Sequence, residues 1–192
     1  MTQRCSWAKE SNPLYIDYHD NEWGVPTHDD QMLFEMIVLE GCQAGLSWET
    51  ILNKRGGYRA AFYNFDVQKV AHMSDEELEN LRHNPAIVRN RLKINMARKN
   101  ARVFIDIQNE FGSFNDYIWA YVNHKPILNN WESMDQVPAS TPLSDKISKD
   151  LKKRGMSFVG TTIMYAYLQS CGLVNDHIIS CCCYTKSLSS NS

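Results

Sequence analysis

The chain has 192 residues, 43% of them hydrophobic, and a formal net charge of −2. This length and apolar content suit one compact globular unit, and the composition excludes a disordered or fibrous chain. No run of 18 apolar residues can span a bilayer as a helix, and the near-neutral charge argues against indiscriminate coating of nucleic acid.

The chain reads as helical almost throughout, which predicts an all-α fold. Its start, Met1-Thr2-Gln3-Arg4-Cys5-Ser6-Trp7, lacks the apolar run of a secretory signal, so a cytoplasmic protein is expected. Asp29 or Asp30 can cap a helix carrying Leu33, Phe34, Ile37 and Val38 and ending at Gly41. Ser74-Asp75-Glu76-Glu77 has the form of a capping box before a short helix with Leu78 and Leu81. Asn84-Pro85 breaks the chain. A long helix then runs from about Ile87, with Ile94, Ala97, Ala101 and Phe104 on one stripe, and stops near Gly112; Ser113 can cap the next. Residues 123–141 contain two prolines and read as a connecting loop. A helix from Ser144 to Gly155 and another from Thr161 to Gly172 follow, so a helical hairpin occupies 144–172. The last residues, 187–192, read as a disordered tail. No alternating strand pattern or internal repeat is present.

Charge is spread unevenly. Arg89, Arg91, Lys93, Arg98, Lys99 and Arg102 fall in one stretch without an acid, and Lys146, Lys149, Lys152, Lys153 and Arg154 form a second cluster. The first fifty residues hold only Arg4 and Lys9 against nine acids. Such asymmetry fits a phosphate-facing surface late in the chain and a separate pocket early in it; solvated helix faces are the plainer alternative.

Three features carry chemistry. His177 and Cys181 would share a face at i,i+4 spacing if helical, and Cys5 and His19 lie near the other terminus; one pair from each end would close a structural zinc tetrahedron. Unpaired core residues are the alternative, and Cys182 or Cys183 could substitute as ligands. Trp7, Tyr15, Tyr18, Trp23 and Trp48 concentrate in the acidic half, where flat faces can stack a nucleobase, best a cationic one. Glu40 ends an apolar helix, where a buried charge demands a partner. Lys152-Lys153-Arg154-Gly155 followed by Val159-Gly160-Thr161 has the form of a helix-hairpin-helix that presents backbone amides to phosphate.

The blocks Tyr15–Pro26, Leu39–Trp48, Phe158–Thr162 and Cys171–His177 resemble the 3-methyladenine DNA glycosylase I family, and the resemblance runs from about Arg4 to Tyr184. It implies a helix-hairpin-helix glycosylase fold, with one structural zinc held by Cys5, His19, His177 and Cys181 joining segments 5–19 and 177–181. It implies that Glu40 contacts the excised base as the catalytic residue, with Trp7, Tyr15, Tyr18, Trp23 and Trp48 as walls. Gln43 and Leu46 would lie near the gap left by the flipped nucleotide, and Lys153, Gly155, Val159, Gly160 and Thr161 on the DNA backbone. The expected activity is hydrolytic release of 3-methyladenine from alkylated double-stranded DNA by a monomer. Thr162 stands where lyase-competent relatives in the wider superfamily place a lysine, so no strand cleavage is expected. Asp176 lies where many such glycosylases carry a catalytic aspartate and is read as structural. A lesion-binding protein without turnover and a hydrolase with catalytic zinc are the competing readings.

Overall fold

Residues 3–184 are described by a computed structural model of the chain; the tail 187–192 expected from sequence lies outside them. Asn12 accepts a hydrogen bond from the Leu14 amide, and Pro13 fills the first helical position, where its missing N–H costs nothing, so helix α1 spans Pro13–Asn21. Asp29 caps α2 (Asp30–Gln43) through the Met32 amide. Every α2 residue from Leu33 to Cys42 is buried, which makes this helix the central rod. Ser47 opens α3 (Trp48–Ala61), Asp66 opens α4 (Val67–Ala71), and the expected reciprocal box between Ser74 and Glu77 opens α5 (Asp75–Leu81).

The long helix α6 spans Arg91–Phe111 and starts four residues later than its apolar pattern suggests. Asn90 is extended and its side chain accepts from the amides of Leu92 and Lys93, which fixes the start there. Ser113 caps α7 (Phe114–Ala120), as expected. Segment 123–141 is not only a loop: β1 (Ile127–Leu128) pairs in parallel with β2 (Val174–Asn175), in the register Ile127 to Val174 and Leu128 to Asn175. α8 (Pro142–Arg154) begins two residues before Ser144, because Thr141 is the cap and Ser144 returns the bond to the Thr141 amide. α9 spans Thr161–Ser170.

α2 packs against α3, α6, α7 and α9, while α8 lies on α9 and α4 on α6. The turn after α9 joins the two ends of the chain. Gly172 has φ +68°, and a Cβ there would sit 2.2 Å from the Val25 carbonyl carbon, so only glycine fits. The close approach is secured by hydrogen bonds from Gly24 N to Gln169 O (2.9 Å) and from Thr27 N to Cys171 O (3.0 Å). It brings the segment after α1 against the segment after α9.

Candidate active site and metal centre

Cys5, His19, His177 and Cys181 are all buried, and their ligand atoms lie within 4.8 Å of one another. Segment 177–181 is not helical: a turn closed by Cys181 N to Ile178 O (2.8 Å), rather than a shared helix face, brings His177 and Cys181 together. Cys5 Sγ lies 3.6 Å from His177 Nδ1; Cys181 Sγ lies 3.4 Å from that atom and 3.5 Å from His19 Nε2. Tetrahedral zinc with ordinary Zn–S and Zn–N bonds needs sulfur and nitrogen about 3.5 Å apart, so the donors fit. The rings are also held in the correct tautomers. His177 Nε2–H donates to the Trp23 carbonyl (2.9 Å), and His19 Nδ1–H donates to Asp20 (2.7 Å), leaving a lone pair on each inward nitrogen. Arg4 in turn braces Asp20 at 2.8 Å. The two thiols are hydrogen-bonded to each other, which with burial pushes Cys5 far up and pulls Cys181 far down. A divalent ion would bind both as thiolates. Four protein donors fill the tetrahedron, so this is a structural zinc site with no position for a reacting water.

The aromatic side chains expected as walls converge beside this centre. Trp7, Tyr15, Tyr18, Trp23 and Trp48 line one cavity of about 360 Å³ together with Glu40 and Gln43. The metal ligands and the walls are continuous: the His177 ring meets the Trp23 indole edge-on at 4.6 Å, and Trp7 meets Trp23 at 4.9 Å and His19 at 5.0 Å. Other lining residues were not anticipated. Met134, Val137, Pro138 and Ala139 come from the presumed loop, which the β1–β2 pairing and its surroundings hold against the site. Thr162, Tyr165, Ala166 and Gln169 come from α9, at the i, i+3, i+4, i+7 spacing of one helix face. That stripe was the available signal.

Two carboxylates are buried on α2, and they differ in company. Glu35 is paired with Arg55 (2.5 Å) and Arg59 (3.0 Å). Glu40 has no ion pair among the described residues, and its Oε2 has no hydrogen-bond partner although it is only 3% exposed. Burial pushes the Glu40 carboxyl up to about 8, against a modest opposing hydrogen bond from Ser170. Burial therefore favours the protonated form of Glu40 in this cavity. The Trp48 indole N–H is likewise buried without a partner. An acid and a donor left unsatisfied in an aromatic cavity call for a planar polar ligand.

The hairpin between α8 and α9 is clamped on both sides. Asn100 on α6 donates to Ser157 O (2.9 Å) and accepts from Ser157 N (2.9 Å); Ser148 donates to Val159 O (2.7 Å). Lys153 is exposed, Gly155 (φ +105°), Gly160 and Thr161 are half-buried, and Val159 is buried, so Val159 can offer only its backbone. Arg154 is not free for phosphate: it pairs with Glu110 and Asp150 and lies over the Phe111 and Tyr117 rings. Leu46 is 39% exposed on the turn between α2 and α3 and does not line the cavity.

Asp176 is fully buried and saturated. Its Oδ1 accepts from Asn129 (2.7 Å) and Trp131 (2.7 Å), and its Oδ2 accepts from Tyr165 (2.5 Å) and Gln169 (2.7 Å). With four donors it has no lone pair to spare for a reacting group, and it pins two cavity residues of α9. Asp176→Asn replaces one acceptor oxygen by a donor and strands two buried donors. We expect a loss of about 3 kcal/mol in stability, read by urea denaturation; stability within 0.5 kcal/mol of wild type would refute the bracing role.

A family model described as methyladenine glycosylase matches residues 7–184. DNA-3-methyladenine glycosylase 1 of Escherichia coli (strain K12) is 52% identical over 182 residues, covering 95% of this chain and 97% of the relative. A crystal structure of 3-methyladenine DNA glycosylase I superposes with a TM-score of 0.91 at 52% identity, over 94% of this chain and 99% of that one. A 3-methyladenine DNA glycosylase I from Staphylococcus aureus, described as showing the structural basis of 3-methyladenine recognition, gives 0.91 at 35% identity, over 94% and 96%.

Proposed function

This chain belongs to the methyladenine glycosylase family, and from that premise we propose how its residues carry the activity. It is a helix-hairpin-helix base-excision repair enzyme that hydrolyses the N-glycosidic bond of 3-methyladenine in DNA without lyase chemistry. The observation that carries the site assignment is the Glu40 carboxyl inside the aromatic cavity, buried without an ion pair among the described residues and with its Oε2 unpartnered.

A protonated Glu40 offers both a carbonyl acceptor and an O–H donor, the pattern that complements the amino group and adjacent ring nitrogen of an adenine. The walls Trp7, Tyr15, Tyr18, Trp23 and Trp48 prefer a base that carries positive charge, as 3-methyladenine does while attached to the sugar. As the C–N bond breaks, its electron pair stays with the base, which leaves neutral. A donor on the ring nitrogen then bonds more strongly than in the ground state, so Glu40 assists departure. Water adds to the anomeric carbon and its proton goes to solvent. No carboxylate other than Glu40 is among the cavity residues, which supports the DNA phosphates as stabilisers of the sugar cation. No lysine is among them either, and Thr162 holds the position of a lyase nucleophile.

The substrate is double-stranded DNA. Extruding the nucleotide costs a few kcal/mol, less for a damaged base; Gln43 at the cavity edge and exposed Leu46 fill the gap, while Lys153, Gly155, Val159, Gly160 and Thr161 hold the backbone. We take the chain as one glycosylase unit acting as a monomer in the cytoplasm; the core runs through all nine helices of the described residues, and no helix among them is long and apolar enough to cross a membrane. The test is incubation with methylated duplex and chromatography of the supernatant. Free 3-methyladenine with an unbroken abasic strand is expected. No release above background would leave a lesion-binding protein.

A further inference from the structure

The exposed face of α6 links the two places assigned above to DNA. Near its start, Lys93 is buried and donates to the carbonyls of Cys42 (2.8 Å) and Ala44 (2.6 Å), which ties α6 to the turn that presents Leu46. Two turns later, Lys99 donates to Ser157 Oγ (2.8 Å) and Asn100 clamps the Ser157 backbone, which ties the same helix to the hairpin. Along the same stretch, Leu92, Asn95 and Lys99 recur at i, i+3, i+7 on one face, and all three are exposed. Leu92 is 68% exposed, more than any other large hydrophobic of the described residues. Arg89 and Arg91 precede it in the chain, are exposed, and form no ion pair among the described residues, whereas Arg98 and Arg102 are spent on Asp75 and on the carbonyls of Met73 and Ala71. The seven steps from residue 92 to residue 99 advance about 10 Å along the helix axis, roughly three base-pair steps.

We propose that this face of α6 is a third DNA contact, continuous with the Leu46 turn and the hairpin, in which Leu92 packs on the sugars of the duplex beside the extruded nucleotide and Arg91 meets a phosphate. An exposed apolar side chain preceded by two exposed cations without ion pairs among the described residues matches a sugar-phosphate surface, whose sugars are apolar and whose edges are anionic. A protein partner would not need the two unpaired arginines. The inference rests on the assignment of the Leu46 turn and hairpin to DNA.

The experiment compares duplex affinity with affinity for free 3-methyladenine in the full chain. Leu92→Gln should weaken binding to a duplex carrying an abasic-site analogue about tenfold and leave free-base binding, read by tryptophan fluorescence, within about twofold. Arg91→Gln should lower the slope of log affinity against log salt by about 1. Unchanged duplex affinity in Leu92→Gln, with Leu46→Ala still weakening it, overturns this contact and leaves the turn assigned to DNA. A parallel loss of free-base binding also overturns it, because the effect would then act through the cavity. A wild-type chain with no affinity for the duplex overturns both assignments.

Discussion

Cys181→Ser should lose its zinc and melt about 10 °C below the wild type, the shift that a loss of about 3 kcal/mol produces in a domain of this size. The reasoning starts from charge. Two buried thiols in mutual hydrogen-bond contact ionise together only beside a cation, and two imidazoles are already held with their lone pairs facing inward. Serine supplies no thiolate, so the remaining three donors bind zinc weakly and the ends of the chain lose their joint. Elemental analysis should find one zinc per wild-type chain and less than a tenth of that in the variant. Cys42→Ser, which removes a buried thiol away from the cluster, should keep its metal. Cobalt in place of zinc should give the spectrum of a tetrahedral site with two sulfur ligands. A full zinc complement in Cys181→Ser would remove Cys181 from the ligand set.

Glu40→Ala should slow excision about 100-fold, and Glu40→Gln about tenfold, because glutamine keeps one donor and one acceptor but donates less strongly than an acid. The pH dependence separates this role from a negatively charged one. Burial raises the Glu40 carboxyl from 4.5 to about 8. Single-turnover excision by the wild type should therefore hold steady below that value and fall as pH rises through it, while Glu40→Gln stays flat. Stability follows the same proton. Between pH 4.5 and 8 the native chain holds a proton that the unfolded chain has lost, so this group makes stability fall with rising pH across that window. The melting temperature of the wild type should decline relative to Glu40→Gln over it. An excision rate that climbs to a plateau above pH 8 would make the ionised form the working one and sink the assignment.

The local signals that survive in the fold are those written in hydrogen-bonding chemistry. Asp29, Ser74 and Ser113 cap helices as their sequence contexts suggest, because a side-chain acceptor over a free amide is decided within one turn. The four metal donors and the early aromatics were legible as residue types. What brought them together was not, since residues 5 and 181 meet only after the whole core has formed. No helix was read over α3, whose sequence carries Gly56-Gly57 in its interior. Gly57 is there for a tertiary reason: a Cβ would lie 2.3 Å from the Ala86 carbonyl oxygen, so the helix keeps glycine to let another segment approach. The β1–β2 pair is two residues long, too short to show alternation, yet it holds the segment that supplies Met134 to Ala139. The protonation state of Glu40 was beyond sequence altogether, because it depends on the cavity's depth.

The joint between Cys5 and Cys181 has a consequence for chains still being synthesised. Trp7 and Trp23 lean on imidazoles whose fourth partner is nearly the last part of the described chain to be made. A nascent polypeptide still short of Cys181 can assemble its helices, but it lacks the clasp that sets these two indoles. A product truncated before Cys181 should therefore excise little or no base, and activity should appear only with chains long enough to close the clasp.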